Sequence, residues 1–361
     1  MTDLLYRPDM DDVRERLTTW WRGGDIGRPA MQITAPRREP LAFEGLAAMP
    51  EPEGWVTHYS TSDFDYRVNS QARHFLGHHS LAEHVPATSP DLAPNCLALY
   101  LGCQGVEMPD TVWCEPCFER PEDATFRYDP DNFYWDFTLR LAGELLRLGQ
   151  GKFLVAFPDL IEGLDTLAAM YGTERLLPDL IDRPDWVHAC LRQITDRYFH
   201  YYDVLYDLIR DEVGGSTFWA WAPGRMVKLQ CDLSAMISPE MFSEFMVPVL
   251  CEMTERISYS MYHWDGPGAI KHLDHLLTIP KLDMVQWTPG AGAESHDHPR
   301  WWPLYHRIVD AGKKVYCGTC ADLDSLRAMK KEFGPGLKQF LIDMQADSPE
   351  HAQEILDLAA V

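Results

Sequence analysis

Positive charge is scarce in this sequence. Its 361 residues carry 32 Lys and Arg against 55 Asp and Glu, a formal net charge of −23 at pH 7. No Lys/Arg-rich cluster interrupts this excess of acid. Such a chain repels a phosphate backbone, so nucleic acid is not an expected partner.

Long apolar runs are also missing. No run reaches the roughly 18 residues that a membrane-spanning helix needs, so no membrane partner is expected. The first residues are acidic and lack the basic and apolar regions of a signal peptide, which predicts a cytoplasmic protein. Nine cysteines are an odd number in a chain without an export signal, and this argues against a disulfide framework.

What is present is the composition of a folded protein, with 46% apolar and 12% aromatic residues. After residue 131 apolar strands and helical patterns alternate in six repeats, and two further strands are expected before that point. Eight alternating units predict an α/β fold of the (β/α)₈, or TIM-barrel, type, as one domain over 1–361. A doubly wound open sheet is the alternative, although no Gly-x-Gly-x-x-Gly follows a strand to indicate a dinucleotide site. The predicted strands include 28–36, 152–158, 216–221, 259–264, 283–287, 314–317 and 339–343.

The segment 37–130 does not follow this alternation. It is rich in proline and carries only scattered patterns, a helix around 63–75 and a strand at 110–114 among them. We expect an irregular elaboration at one end of the fold, which could form a lid over a site.

Candidate catalytic residues lie where the predicted strands end, because parallel folds place their chemistry at the carboxyl ends of strands. Period-2 alternation puts His263 and Asp265 on one face of their strand. Asp159 follows an earlier strand, and Asp232 lies in the loop after the 216–221 strand. The expected catalytic residues are therefore His263, Asp265, Asp232 and Asp159.

A metal site is the sharpest hypothesis at these strand ends. Imidazole, carboxylate and thiolate are all zinc ligands, and three protein ligands with one open position are typical of catalytic zinc. The candidates are His263 and Asp265 with Cys317 or Cys320, and the spacing does not choose between the two cysteines. The alternative is that His263 is satisfied by hydrogen bonds and the cysteines pack as hydrophobic residues.

Amide and aromatic side chains near the same strand ends are expected to bind a substrate. For the tryptophans a core position is the alternative, and for Gln230 it is a role at the start of the following helix. The candidates are Gln230, Trp219, Trp221, Tyr262, Gln286 and Trp287. A second Cys-x-x-Cys, Cys114-Glu-Pro-Cys117, is interpreted as structural, because the only other such pair lies 200 residues away.

Several segments resemble the uroporphyrinogen decarboxylase superfamily, and within it the corrinoid-linked methyltransferases. They are Phe157-Pro-Asp-Leu-Ile-Glu-Gly-Leu-Asp, Ile237-Ser-Pro-Glu-Met-Phe, Tyr262-His-Trp-Asp-Gly266 and Cys317-Gly-Thr-Cys-Ala-Asp. The resemblance covers roughly 130–360 and implies a (β/α)₈ barrel. In the methyltransferase branch, zinc is held by a His-x-Cys and a later Cys. The matching positions are His263, Asp265 in place of the first thiolate, and Cys317 or Cys320.

The resemblance thus implies a methyltransferase that moves a methyl group between a corrinoid (cobalamin) and a small thiol or related acceptor. The decarboxylases of the superfamily carry an N-terminal arginine-rich motif, which residues 27–38 do not match, so a metal-free decarboxylase or lyase is the second hypothesis. A non-catalytic small-molecule-binding barrel is the third. Expected partners are a small-molecule substrate, a separate corrinoid protein and, for the assembly, a homodimer.

Overall fold

The computed structural model describes residues 3–43, 46, 49, 51–52, 56–57 and 59–361. The elaboration predicted for 37–130 therefore falls partly outside the described residues. Within those residues, no helix combines the length and apolar character needed to cross a membrane.

The helices follow the predicted order closely in the C-terminal two thirds of the chain. In chain order the α-helices are α1 Met10–Trp21, α2 Phe64–Arg73, α3 Cys96–Tyr100, α4 Phe133–Gly149, α5 Gly163–Tyr171, α6 Thr173–Asp182, α7 Pro184–Ile209, α8 Pro239–Met241, α9 Val247–Glu255, α10 Leu273–Leu277, α11 Trp302–Asp310, α12 Leu323–Phe333 and α13 Pro349–Ala359.

The strands are short, and the longest belong to one sheet. In chain order they are β1 Ala30–Pro36, β2 His78–Ala82, β3 Ala87–Thr88, β4 Gln104–Glu107, β5 Val112–Glu115, β6 Leu154–Val155, β7 Ser216–Phe218, β8 Ala220–Ala222, β9 Met226–Gln230, β10 Tyr259–Asp265, β11 Met284–Thr288, β12 Lys314–Thr319 and β13 Phe340–Gln345.

The main sheet has the order β2-β1-β13-β12-β11-β10-β9. Every neighbouring pair from β1 to β9 is parallel, whereas β2 runs antiparallel to β1. The carboxyl ends of six strands therefore meet at one edge. Helices between successive strands cover the sheet, as parallel strands require.

Shorter strands extend this arrangement beyond β9. β6 pairs with β3 in parallel, and the Phe157 amide donates to the Thr217 carbonyl at 2.9 Å, which joins the end of β6 to β7. The predicted α/β class and parallel sheet are confirmed. A closed eight-stranded barrel is not, because the main sheet of the described residues has seven strands and the remaining strands form separate pairs.

The segment 216–230 differs from its prediction. We expected one strand over 216–221 followed by a loop, and the structure shows the antiparallel pair β7 and β8 followed by the buried strand β9. Trp219 makes the turn between β7 and β8 with φ of +54°. Within β9, Lys228 and Gln230 interrupt the apolar run, which hides a fully buried strand from a hydrophobicity pattern.

Local signals account for several of the helix starts. Ser238 and Ser348 accept hydrogen bonds from backbone amides of the first turn, and a proline follows each of them. These are the N-cap and N1 positions at which serine and proline are favoured, because the cap satisfies a free amide and proline has none to satisfy.

Glu83 joins the N-terminal elements to β1. Its fully buried carboxylate lies 2.8 Å from the Arg16 guanidinium and 2.6 Å from that of Arg28, and it accepts the Met31 amide at 2.9 Å. Burial acts to raise the pKa of Glu83, but hydrogen bonds and charge from Arg28 outweigh it and leave the pKa below its ordinary value. Glu83 is therefore a buried anion with two cationic partners.

Replacing Glu83 by Gln is expected to destabilise the fold by about 3 kcal/mol, because it leaves buried arginine charge without its partner. Urea unfolding measures this change, and Glu15→Gln, on the exposed face of α1, is the control. Since the pKa of Glu83 is lowered, its contribution is present above the ordinary carboxyl range and is lost as pH falls through its folded pKa. Equal stability of the two variants at pH 7 would contradict this role.

Candidate functional site

A cavity of about 740 Å³ opens at the carboxyl ends of β1, β12 and β13. This volume is in the range of small-molecule sites. None of the described residues that line it is Lys or Arg, whereas Asp91 and Asp343 are both part of its wall. Aromatic side chains provide much of the remaining surface. They are Phe157, Phe218, Trp219 and Tyr316.

Asp343 belongs to a polar network in the cavity wall. Its two carboxylate oxygens accept hydrogen bonds from Gln32 Nε2 at 2.9 Å and Tyr316 Oη at 2.7 Å. Burial raises the pKa of Asp343. On the other side, burial and then the nearby Asp159 carboxylate raise the pKa of Asp91 to about 6.

His263 lies at the end of β10 beside this cavity, and its orientation is set by Gln286 on β11. His263 Nδ1 is hydrogen-bonded to Gln286 Oε1, while Gln286 Nε2 donates to the Trp287 carbonyl at 3.0 Å and to Thr288 Oγ1 at 2.9 Å. Because the amide nitrogen has these acceptors, Oε1 must accept from His263. Nδ1 therefore carries the proton, and Nε2 keeps a free lone pair.

His263 is the centre of a group of metal-type donors. One ligand atom each from Asp232, His263 and Asp265 lie within 4.8 Å of one another. Among the described residues this is the group of three or more such side chains that meets this spacing. Burial, and then the Lys228 charge, lower the pKa of His263, so its imidazole is neutral near pH 7.

Trp219 covers one side of His263. The two rings meet edge to face with their centroids 5.3 Å apart, and the Trp219 side chain, which is 45% exposed, lines the cavity. Its positive φ is unusual for a bulky residue. Ile161, a β-branched residue in the loop after β6, also has a positive φ, of +58°. Such outliers persist where surrounding structure holds them, often at functional sites.

Two carboxyl groups at the start of α5 hold the backbone around Asp232. Asp165 accepts the backbone amides of Asp232 at 2.7 Å and Leu233 at 2.9 Å. Glu162, fully buried, accepts the Gln230 amide at 2.9 Å through one oxygen. Burial raises the pKa of Glu162 well above its ordinary value, which disfavours the charged form of this carboxyl group.

Asp232 itself is poised near neutrality. Although it keeps contact with solvent, desolvation by the surrounding protein and then the Asp165 carboxylate raise its pKa to about 7. Gln230 Nε2 donates to the Asp232 carboxylate at 3.0 Å. Asp232 is therefore the carboxylate of this group that exchanges a proton most readily at pH 7.

Lys228 carries positive charge into this acidic environment. The side chain is buried on β9, and Nζ lies 2.5 Å from the Asp159 carboxylate and is also hydrogen-bonded to Gln230 Oε1. Asp159, which we expected to be catalytic, is thus an ion-pair partner of Lys228 and does not belong to the group of Asp232, His263 and Asp265.

The two predicted cysteine ligands lie outside the group. Cys317 is buried, with Sγ 3.9 Å from Tyr305 Oη, and Cys320 Sγ lies 3.7 Å from the Asp322 carbonyl. Burial raises the pKa of both thiols, to about 12 for Cys320. Tyr316, Gly318 and Thr319 of β12 line the cavity, whereas Cys317 is fully buried on the other face of the strand, as alternation requires.

Of the predicted substrate-binding residues, Trp219 and Gln286 line the cavity. Gln230 does not line the cavity, and its side-chain amide donates a hydrogen bond to Asp232. The other three are core residues and do not line it, because alternation on their strands turns them toward the covering helices. Trp221 Nε1 donates to Asp211, Trp287 packs against Trp264 and Trp301, and Tyr262 is 1% exposed.

Sequence reasoning missed Lys228, Glu162 and Asp165. The acidic pair is contained in the segment Phe157–Asp165 that carries the family resemblance, and its spacing places both residues at the start of α5. This was an available signal. Lys228 had no signal, because a lysine within a strand pattern normally indicates an exposed edge.

Comparison with known proteins finds a similar solved structure but no match at the level of sequence. No family model matches the chain, and no curated protein matches it. Among solved structures, a methyltransferase from Methanosarcina mazei is similar, with a TM-score of 0.59, 11% sequence identity and 96% of each chain covered. At this identity the likeness shows a shared fold over nearly the whole chain.

Replacing Asp165 by Asn is expected to lower the pKa of Asp232 from about 7, because the Asp165 charge is the largest electrostatic contribution that raises it. Carboxyl carbon NMR titration of the metal-free protein measures the pKa directly. Asp185→Asn, an exposed site on α7, is the control and should leave the value unchanged. An Asp232 pKa that stays at 7 or rises in Asp165→Asn would overturn this electrostatic account.

Proposed function

We propose that this protein is a metal-dependent methyltransferase of the corrinoid-linked type. It moves a methyl group between a corrinoid and a small thiol or related acceptor held in the cavity. One observation carries the proposal. His263 lies in one group with two carboxylates while Gln286 holds its Nδ1 proton and leaves Nε2 with a lone pair, and a histidine oriented through its other ring nitrogen is typical of metal sites.

The donor set fits a divalent cation. Asp232, His263 and Asp265 supply two carboxylates and one neutral imidazole, a set suited to zinc with an open fourth position. When bound, zinc would lower the pKa of a thiol so that it reacts as the thiolate. Two carboxylates in place of cysteines make this a harder site than one built on thiolates.

The remaining residues of the site hold the acceptor and the protein groups in position. Trp219 provides an aromatic wall between the cavity and His263, and Gln286 borders both. Lys228 limits the negative charge beneath Asp232, while Asp165 fixes the backbone of Asp232. A cavity of about 740 Å³ suits the acceptor. We propose that the corrinoid approaches from outside, on a partner protein or as free cofactor.

The structural neighbour supports the same reading. A chain named a methyltransferase shares this fold over 96% of both lengths, and the residues that resemble the corrinoid-linked methyltransferases include those at the carboxyl ends of β10 and β12. A decarboxylase acting on a polycarboxylate would need cationic side chains around its substrate. None of the described residues lining the cavity is Lys or Arg, and this places the decarboxylase second.

Protein loaded with zinc and freed of excess metal is expected to lose the ion of this site in His263→Ala, because that variant removes the neutral nitrogen ligand. Gln286→Leu keeps all three ligands but loses the hydrogen bond that orients His263, so its zinc affinity should fall about 10- to 100-fold. Competition with a chromogenic chelator measures both. His296→Ala, in the cavity wall but outside the group, is the matched control. Equal zinc affinity in His263→Ala and His296→Ala would count against the site.

Zinc-loaded protein is expected to demethylate methylcobalamin in the presence of a suitable thiol, followed by the change in the visible spectrum. The rate should fall in His263→Ala by more than the roughly 10- to 100-fold expected for Gln286→Leu, because a direct ligand is lost. A panel of uncharged, cationic and anionic thiols identifies the acceptor class. No demethylation with any of them, together with carbon dioxide release from a porphyrinogen, would replace this function with the decarboxylase.

A further inference from the structure

Three cysteines lie near one another where the β4–β5 hairpin packs against the C-terminal end of α5, the opposite end of that helix from Asp165. Cys103 immediately precedes β4, Cys114 lies in β5, and Cys117 follows shortly after. Cys103 Sγ is 3.7 Å from the Ala169 carbonyl, and the Cys117 amide donates to the Met170 carbonyl at 2.9 Å. Since Ala169 and Met170 are neighbours in α5, Cys103 and Cys117 are held at the same helix end.

The register of the β4–β5 hairpin places Cys114 near Cys103. Gly105 of β4 lies opposite Cys114, and Gln104 lies opposite Glu115. Side chains alternate between faces, so Cys103 extends from the same face as Gly105 and Cys114. Cys103 and Cys114 are therefore diagonal neighbours across the hairpin, which is within contact range for side chains.

The three thiols interact with one another. Hydrogen bonds with Cys114 and then Cys117 raise the pKa of Cys103, and the same bonds from Cys103 lower the pKa of Cys114 and of Cys117. The Cys114 and Cys117 thiols are thus both neighbours of the Cys103 thiol. A cation bound by the three sulfurs would displace their protons, since metal binding at cysteines releases protons.

We propose that Cys103, Cys114 and Cys117 form a second metal site, for a thiophilic divalent cation such as zinc, that fastens the β4–β5 hairpin to α5. Cys103 is fully buried, Cys114 is half-buried and Cys117 is exposed, so the site faces solvent on one side. Three thiolates and one open position towards solvent satisfy tetrahedral zinc. These sulfurs do not all lie within the 4.8 Å of one another that unites Asp232, His263 and Asp265. The ion would draw the exposed Cys117 side chain inward.

This site supplies the partner that Cys114-x-x-Cys117 lacked in the sequence. The other Cys-x-x-Cys of the chain, Cys317 to Cys320, is buried beside β12 and α12 and has its own hydrogen bonds. The partner is a single cysteine on the neighbouring strand of the hairpin. The proposal is independent of the proposed methyl transfer, because the two sites share no residue.

Cadmium titration into reduced, metal-free full-length protein tests the proposal. Cadmium bound to thiolates gives a charge-transfer band in the ultraviolet, which the carboxylate and imidazole ligands of the cavity site do not produce. The band should saturate at one ion per chain and disappear in Cys103→Ser and in Cys117→Ser. Cys117 is exposed, so its variant keeps the test valid if the substitution of buried Cys103 impairs folding.

Two controls separate this site from others. Cys251→Ser removes a half-buried thiol elsewhere, on α9, and His263→Ala removes the cavity ligand; both should keep the band and its stoichiometry. In the His263→Ala background, which lacks the cavity site, the thermal midpoint of unfolding should rise with cadmium or zinc, and adding Cys117→Ser should abolish that rise. The proposal is overturned by absence of the band, or by a band that Cys320→Ser abolishes and Cys117→Ser leaves intact.

Discussion

An excess of carboxyl groups around one buried lysine is the constraint on which the candidate site depends. Lys228 lies in direct contact with Asp159. Its charge also acts to lower the pKa of Glu162, Asp165 and Asp232, but burial outweighs it and leaves all three pKa values raised. One positive charge cannot balance four carboxylates in a desolvated space. Burial raises the pKa of Glu162 and so disfavours a further negative charge there. Asp232, which keeps contact with solvent and has a pKa of about 7, carries part of the remaining negative charge.

The same carboxyl groups build the local structure. Asp165 and Glu162 accept backbone amides at the end of β9, and these bonds hold Asp232 beside His263 on the neighbouring strand, where Gln230 and His263 are register partners. Removing the Asp165 or Glu162 carboxylate would therefore also remove hydrogen bonds that hold the backbone after β9. A divalent cation between Asp232, His263 and Asp265 would offset this excess of negative charge, and would link the folding of this edge of the sheet to the proposed chemistry.

The sequence made much of this predictable, and the failures have identifiable physical causes. Period-2 alternation correctly put His263 and Asp265 together, because β10 is regular over its seven residues. Cys317 was a candidate because it lies near a strand end, but its position alternates with the cavity residues Tyr316 and Gly318 and so falls on the other face of β12. The buried strand β9 was missed, because Lys228 owes its burial to a partner, Asp159, that is distant in sequence. Long-range pairing of this kind leaves no local pattern.

The most direct test of the metal site is the X-ray absorption spectrum, at the zinc edge, of protein carrying one equivalent of zinc. The Cys117→Ser background removes the exposed thiol of the proposed cysteine site and so weakens zinc binding there. The predicted first shell contains only nitrogen and oxygen at about 2.0–2.2 Å, with the outer-shell scattering of one imidazole. A sulfur shell at about 2.3 Å would show that a cysteine binds the ion, and would contradict a site built from Asp232, His263 and Asp265.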